Sequence, residues 1–433
     1  MNKTELVIKL LAFMAAFAFL SAAQGETLYN QNLLFNAFPD AAPKARFDKS
    51  YYDINEELLV KFRAGGTAIV DMTYDTGLVA NSPLFRPAAI ALDGTPESRG
   101  RGRFQLTGTS TLVTFEAAAE SLPGKPRAYS NLDFVDDVNL IQSSGSKVRL
   151  RDAFGVFSLA SNYDLVGGQT FTTFGDNRTL PFSLVNDGTP AGAVFQRQAQ
   201  VRLTRLYQHG WNTSCAIEDP TNEDFVLPTP SAATDPNRNI RLQRYPDFIT
   251  RLQWVRPSGD ENEIDRFNLA GLCRAVGFED VTNDEDFVYG WGVSANTRFR
   301  VRYDNNVQLG AVVGEGLGRY LFGFGSSLST ARTAAGPDLA NELAPVKHVG
   351  SYIGYQHFFS DRLGGNVAYG YAQADTTAAM TGVARRSQNA WINLILEVNK
   401  SFHVGLEYQY GILEVTEGTQ GDNSRIQMTM TLR

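Results

Sequence analysis

The amino-acid sequence predicts an all-β fold, a transmembrane antiparallel β-barrel of about 16 strands behind a cleaved signal peptide. Three observations predict it. From about residue 63 onward, polar and apolar residues alternate in short runs, so each extended segment presents one wet face and one greasy face. The links between runs alternate short and long, the asymmetry of barrels with short periplasmic turns and long outer loops. Beyond the N-terminal segment, no apolar run approaches the roughly 20 residues that a spanning helix needs. A barrel escapes that requirement because half of each strand faces water.

In chain order, residues 1–25 carry a basic start (Lys3, Lys9), an apolar run from Leu10 to Leu20, and small residues at Ser21-Ala22-Ala23 and Gly25. This is the pattern of a secretory signal peptide cleaved after Ala23 or Gly25, and its apolar run is too short for a membrane anchor. Residues 26–62 mix a Pro-containing piece near Phe38 to Pro43 with a polar, aromatic piece around Tyr51-Tyr52-Asp53, and show no sustained heptads. They are expected to form a short periplasmic segment.

Residues 63–433 are assigned to the barrel, with strands near 63–75, 103–117, 126–137, 147–158, 163–174, 194–207, 211–218, 244–256, 265–277, 290–303, 307–316, 348–358, 364–374, 388–399, 402–413 and 423–432. An even number returns both ends to the periplasm. Short turns such as Gln208-His209-Gly210, Asp304-Asn305-Asn306, Ser360-Asp361-Arg362 and Asn399-Lys400-Ser401 alternate with long links such as 76–102, 219–243, 317–347 and 375–387. A 433-residue chain would ordinarily divide into domains, but strands that close on one another keep it single.

The C-terminal third alternates most cleanly. Phe402, Val404, Leu406, Tyr408 and Tyr410 oppose His403, Gly405, Glu407 and Gln409; Ile426, Met428, Met430 and Leu432 oppose Arg425, Gln427, Thr429 and Thr431. Aromatics near strand ends, Tyr303, Tyr355, Trp391 and Tyr410, suit an interfacial girdle, although strands are rich in aromatics anyway. The two cysteines, Cys215 and Cys273, fall on lipid-facing positions with one strand between them. Two inter-strand spacings of roughly 4.8 Å exceed disulfide reach, so two free, buried thiols are expected.

The inward face is where function should lie. Lys147, Arg149 and Arg151 alternate with apolar residues, as do Arg298, Arg300 and Arg302, and Arg202 and Arg251 share the same parity. On the lipid face near the midplane each cation would cost roughly 2 to 4 kcal/mol, so all eight are assigned to the lumen. Two outcomes are open. An Arg/Lys-lined tube favours anions by direct attraction and by field focusing. Alternatively, Asp133, Asp152, Asp176 or Glu407 neutralise the arginines, which then brace the wall or an inward loop. The candidate for that loop is the Gly/Pro/Asn-rich run at about 175–193, with Gly188, Pro190 and Gly192 as turn residues. Phe174, Asp176, Arg178 and Asp187 would present mixed charge across the pore; a plain surface loop is the alternative.

Signals for chemistry are poor. There is no His-Glu-x-x-His, Gly-x-Ser-x-Gly or P-loop, and His209, His348, His357 and His403 are scattered. Inward-facing His403 invites a Ser-His-acid set, but a polar wall residue is the simpler assignment. No metal site and no cofactor is expected. A net charge of −7 argues against nucleic-acid binding.

Several segments also resemble a known family. Val148-Arg149-Leu150-Arg151-Asp152-Ala153-Phe154-Gly155, Gly168-Gln169-Thr170-Phe171-Thr172-Thr173-Phe174, Pro190-Ala191-Gly192 and Arg197-Gln198-Ala199-Gln200-Val201-Arg202 are similar, in that order, to the DcaP-like family of trimeric Gram-negative porins. So are Asp71-Met72-Thr73-Tyr74-Asp75-Thr76-Gly77, Asp93-Gly94-Thr95-Pro96, Gly102-Arg103-Phe104 and Gly316-Leu317-Gly318-Arg319-Tyr320. The resemblance implies a bacterial outer-membrane location, contact with outer-membrane lipid, a homotrimer, and small anionic solutes such as dicarboxylates. Two departures stand out. Thr109-Ser110-Thr111-Leu112 occupies a stretch where the family tends to carry arginines, and the chain ends Leu432-Arg433 where the family ends on an aromatic residue. The expected function is a passive diffusion porin. The competitors are an outer-membrane barrel hydrolase and a secreted soluble β-rich adhesin.

Overall fold

The computed structural model describes residues 52–55, 60–79, 84–99, 102–119, 121–135, 147–220, 240–242, 244–256, 265–279, 285–302, 305–324, 335–337 and 343–432. The expected signal peptide and most of the expected periplasmic segment lie outside the described residues. Sixteen antiparallel strands close into one barrel, as the alternation predicts. They are β1 (Val60–Asp75), β2 (Arg103–Thr107 continued by Leu112–Ala119), β3 (Arg127–Asp133), β4 (Arg149–Ala160), β5 (Tyr163–Phe171), β6 (Arg197–Leu206), β7 (Trp211–Glu218) and β8 (Asp247–Val255). The circuit continues with β9 (Arg266–Glu279), β10 (Glu285–Arg302), β11 (Asn305–Glu315), β12 (Lys347–Ser360), β13 (Leu363–Ala374), β14 (Ala384–Asn399), β15 (Phe402–Val415) and β16 (Gln420–Leu432). Two short segments, Tyr52–Asn55 and Ile240–Leu242, pair antiparallel with the start of β1 and the end of β9, and Ala335–Pro337 pairs antiparallel with Leu343–Pro345.

Each strand pairs with its sequence neighbour, and β16 returns to β1 in register from Ala68↔Leu432 to Asp75↔Arg425. Closure leaves no sheet edge, which is the condition for crossing a bilayer with strands. β2 departs from the single expected strand. Both halves pair with β1, but residues 108–111 bulge out of the ladder, and the bulge is stitched to β1 by Ser110 donating to Asp71 (2.6 Å).

The two faces differ as the pattern requires. Val201, Leu203, Phe248, Val349, Leu406 and Ile426 are exposed on the outside, an apolar belt that suits only lipid. Gln200, Ser214, Asn268, Gln308, Asn393 and Gln427 face inward and are buried. Cys215 and Cys273 are free and face outward, with β8 between them. They are exposed on the outer surface rather than buried. Trp391, expected in the girdle, faces inward and is fully buried. The apolar core is unusual in lying inside the barrel, where loop residues such as Phe85, Ile90, Phe174, Leu317 and Leu321 cluster with inward residues of the wall.

Candidate functional site

The segment 172–196, between β5 and β6, does fold into the lumen, and the wall that receives it is built for the purpose. Thr172 and Thr173 anchor its start, the hydroxyl of one and the backbone N–H of the other donating to Glu218 (2.7 and 2.6 Å). Phe174 then inserts edge-on against Tyr320, ring centroids 5.7 Å apart. Further along, the hydroxyls of Thr179 and Tyr352 lie 2.9 Å apart, and the Trp391 indole donates to the Phe182 carbonyl (2.9 Å). Glu407 accepts from the Ser183 hydroxyl and the Leu184 N–H, both at 2.8 Å. On the return, Asn389 grips the backbone twice, donating to Thr189 O (3.0 Å) and accepting from Ala191 N (2.7 Å). Val194 bridges to Leu321, a residue of the link after β11 that also enters the barrel mouth.

Inward glycines make the space. A Cβ on Gly354 would meet Pro181 at 2.4 Å, one on Gly370 the Ala191 backbone at 2.3 Å, and one on Gly405 the Leu184 side chain at 2.6 Å. The loop therefore lies on the β10 to β16 side, and the opposite arc keeps its polar side chains.

At the loop tip, Asn186 and Asp187 meet β3 and β4. Asp187 accepts from Arg151 (2.9 Å), Arg197 (3.0 Å) and Arg149 (3.0 Å), while Asp133 accepts from Arg149 (2.9 Å) and Arg151 (3.0 Å). Asp187 is held in the left-handed region at φ 54, which short polar residues tolerate best. Burial pushes its carboxyl up, but Arg151, Arg197 and Arg149 outweigh that and hold it well below the usual carboxylate range. Arg149 and Arg151 thus face inward as predicted, yet they brace the loop. Asp187 and the fully buried Phe174, expected to face the pore, are likewise anchors.

A second group of charges lies on the arc from β6 to β10. Arg202 on β6, Arg251 on β8 and Arg298 on β10 face inward as predicted, each half-buried, and Arg266 at the start of β9 completes the row. Arg298 is oriented by Asn306 (2.9 Å) and Gln356 (2.7 Å), and Arg251 reaches Ser214 (3.4 Å). Facing them from the loop is Asp176, which accepts from Gln253 (2.7 Å) and Arg266 (3.2 Å), while Arg178 adds a further cation. Burial raises the Asp176 carboxyl, but Arg266, Arg251 and Arg178 bring it below its ordinary value, so it is ionised near neutral pH. Sequence parity marked Arg202, Arg251 and Arg298, and Arg266 was not among the residues assigned to the lumen. Its parity with Asn268 was the available signal.

Lys147, Arg300 and Arg302 are exposed at strand ends, Lys147 before β4 and the others at the foot of β10, where Arg300 N donates to Asp265 (2.6 Å). His403 faces inward with Glu397 at 3.9 Å, but Ser110, which lines the same recess, is committed to Asp71. Among the described residues no group of three His, Cys, Asp or Glu side chains could hold a metal.

The closed sheet and the lipid-facing belt define an outer-membrane β-barrel. Among solved structures the chain is similar to the outer membrane channel DcaP of Acinetobacter baumannii, at 18% identity over 86% of this chain and 97% of that one, with a TM-score of 0.68. It is also similar to an anion-selective porin from Comamonas acidovorans, at 10% identity over 86% of this chain and 99% of that one, with a TM-score of 0.53. These likenesses are of fold. No family model matches the sequence, and no curated protein does either.

Proposed function

We propose that the protein is a porin through which small hydrophilic solutes diffuse, and that its lumen favours anions, with small dicarboxylates the solute class the sequence resemblance suggests. The supporting observation is the row Arg202, Arg251, Arg266 and Arg298, four guanidinium groups on one arc of the inner wall with Asp176 the carboxylate in direct contact with the row. Cations arranged this way in a low-dielectric tube concentrate anions and repel potassium. Weak binding along the row is enough; diffusion does the rest. Assembly as a homotrimer in outer-membrane lipid belongs to the same proposal and rests on the resemblance.

Planar-bilayer recording across a KCl gradient tests the central point. The wild type is expected to show steady conductance with a chloride-leaning reversal potential. Replacing Arg202 and Arg251 by Ala should lower the chloride-to-potassium permeability ratio by about two- to tenfold. Conductance without ion preference would keep the channel and discard the arginine row; a folded, inserted protein that passes no current would discard the channel.

A further inference from the structure

The arginine row is only partly neutralised. Arg202 makes no hydrogen bond among the described residues. Arg251 reaches a serine hydroxyl, and Arg298 is held by the neutral side chains of Asn306 and Gln356. Only Arg266 has a carboxylate in direct contact among the described residues, and that carboxylate is Asp176, 3.2 Å away and itself buried. Glu218 acts on Arg202 and Arg251 from a distance, but its oxygens are occupied by Thr172, Thr173 and Gln198.

Asp176 belongs to the loop and not to the wall, and its place does not depend on Arg266. The loop on either side is fixed by Phe174 against Tyr320 and by Thr179 beside Tyr352, while Gln253 and the Arg178 N–H hold the carboxylate itself at 2.7 and 3.1 Å. The loop thus carries a permanent anion into the middle of a cationic row. Its charge is felt by Arg202, Arg251, Arg266 and Arg298 alike.

We infer that Asp176 is a tethered counterion, standing where a solute carboxylate would bind and setting how tightly the arginine row holds anions. This rests on the anion preference proposed above. The physical need is plain. A channel must bind its solute firmly enough to draw it in and weakly enough to let it go. Four guanidinium groups without a resident anion would hold a dianion too long. With Asp176 present, an incoming carboxylate meets a partly satisfied row, exchanges against a fixed competitor, and leaves quickly.

The test uses succinate as the probe and four full-length proteins in planar bilayers: wild type, Asp176→Asn, Arg251→Ala and Gly370→Val. Asn keeps the size of Asp176 and its amide oxygen can still accept from Arg178 N, while Phe174 and Thr179 continue to anchor the segment on either side, so the loop is expected to stay docked. Asp176→Asn should raise the chloride-to-potassium permeability ratio and lower the succinate concentration that half-blocks the chloride current, on the order of tenfold. Arg251→Ala should move both quantities the other way. A Gly370→Val variant, which crowds the returning arm of the loop at Ala191 without changing charge or the contacts of Asp176, should leave the succinate block where it is. If Asp176→Asn matches wild type while Arg251→Ala loses anion preference, the counterion is overturned and the anion channel stands. If Asp176→Asn only enlarges the conductance, as Gly370→Val would, Asp176 is a brace and the inference fails. If wild type has no anion preference and Arg251→Ala changes nothing, the underlying proposal fails as well.

Discussion

Asp187 shows how one side chain decides whether the constriction is fixed or loose. Three arginines converge on it, and side-chain exposure is 4% for Asp187, 6% for Arg151 and 12% for Arg197. Its carboxyl is depressed in the folded protein, against about 3.9 for a free aspartate. The stabilisation it provides is therefore complete above that free value and is lost as pH falls through the lower, folded one. The Asp187 contribution to loop docking should be independent of pH between 5 and 8 and weaken only in acid below about pH 4. Replacing Asp187 by Asn leaves Arg149, Arg151 and Arg197 facing one another with one fewer anion. Breaking a buried pair of this kind costs about 3 to 5 kcal/mol. Single-channel current noise at pH 7, 5 and 3 checks both points: the variant should be noisier than the wild type at pH 7 and 5, and the difference should shrink at pH 3. A variant as quiet as wild type at pH 7 would show that the tip cluster does not hold the loop.

At the scale of elements, the loop and the wall are one design. Loop and β-strands meet through glycines, and at Gly370 the atoms a side chain would strike are backbone: Ala191 N at 2.3 Å, Ala191 O at 2.6 Å and Pro190 C at 2.7 Å. Backbone cannot rotate aside, so Gly370→Val must push the returning arm of the loop off β13. Overpacking of this sort costs roughly 1 to 3 kcal/mol. The expected outcome is faster protease cleavage between residues 186 and 194 in a barrel that still migrates as folded; unchanged cleavage would mean that the wall yields instead. This element is also where sequence reasoning ran out. All sixteen strands were legible because period-two alternation is imposed by lipid on one side and water on the other, and the inward loop was legible from its turn residues. The receiving wall was not. Glycines such as Gly354, Gly370 and Gly405 carry no polarity and look like weak points in a strand, although they mark the loop's path. Trp391 was assigned to the girdle because it is aromatic, whereas its parity with Asn389 and Asn393 puts all three inside. The roles of Arg149 and Arg151 depended on Asp133 and Asp187, whose approach no local pattern encodes; bracing was only one of two open outcomes. Arg266 stayed hidden at a strand end.

For the whole molecule, the critical event is closure, because every backbone group at the seam between β1 and β16 has a partner only once the first and last strands meet. The seam has its own inward lock. Arg425, fully buried, donates from Nε and Nη2 to Asp75 (2.8 Å each), and Asn423 donates to the same carboxylate at 3.0 Å. The guanidinium also lies over the ring of Phe85, 5.3 Å from its centroid, so a residue of the 76–102 link covers the lock from within. A charge pair this deep need not add net stability over an apolar pair, but removing one partner strands the other. Arg425→Ala would leave Asp75 with Asn423 alone among these donors, at a cost of about 3 to 5 kcal/mol. Placed at the seam, that cost falls on the barrel as a unit and not on one loop, since the strands on either side cannot separate singly. The folded band on a gel heated in steps should therefore give way to the unfolded band at a clearly lower temperature in Arg425→Ala, with wild-type ion preference at ambient temperature because Arg425 is not part of the arginine row. Replacing Asp75 and Arg425 together by Asn and Met should recover much of the loss. If the single variant melts with wild type, closure depends on the backbone ladder and the apolar belt, and the buried pair fixes only the register in which β16 meets β1.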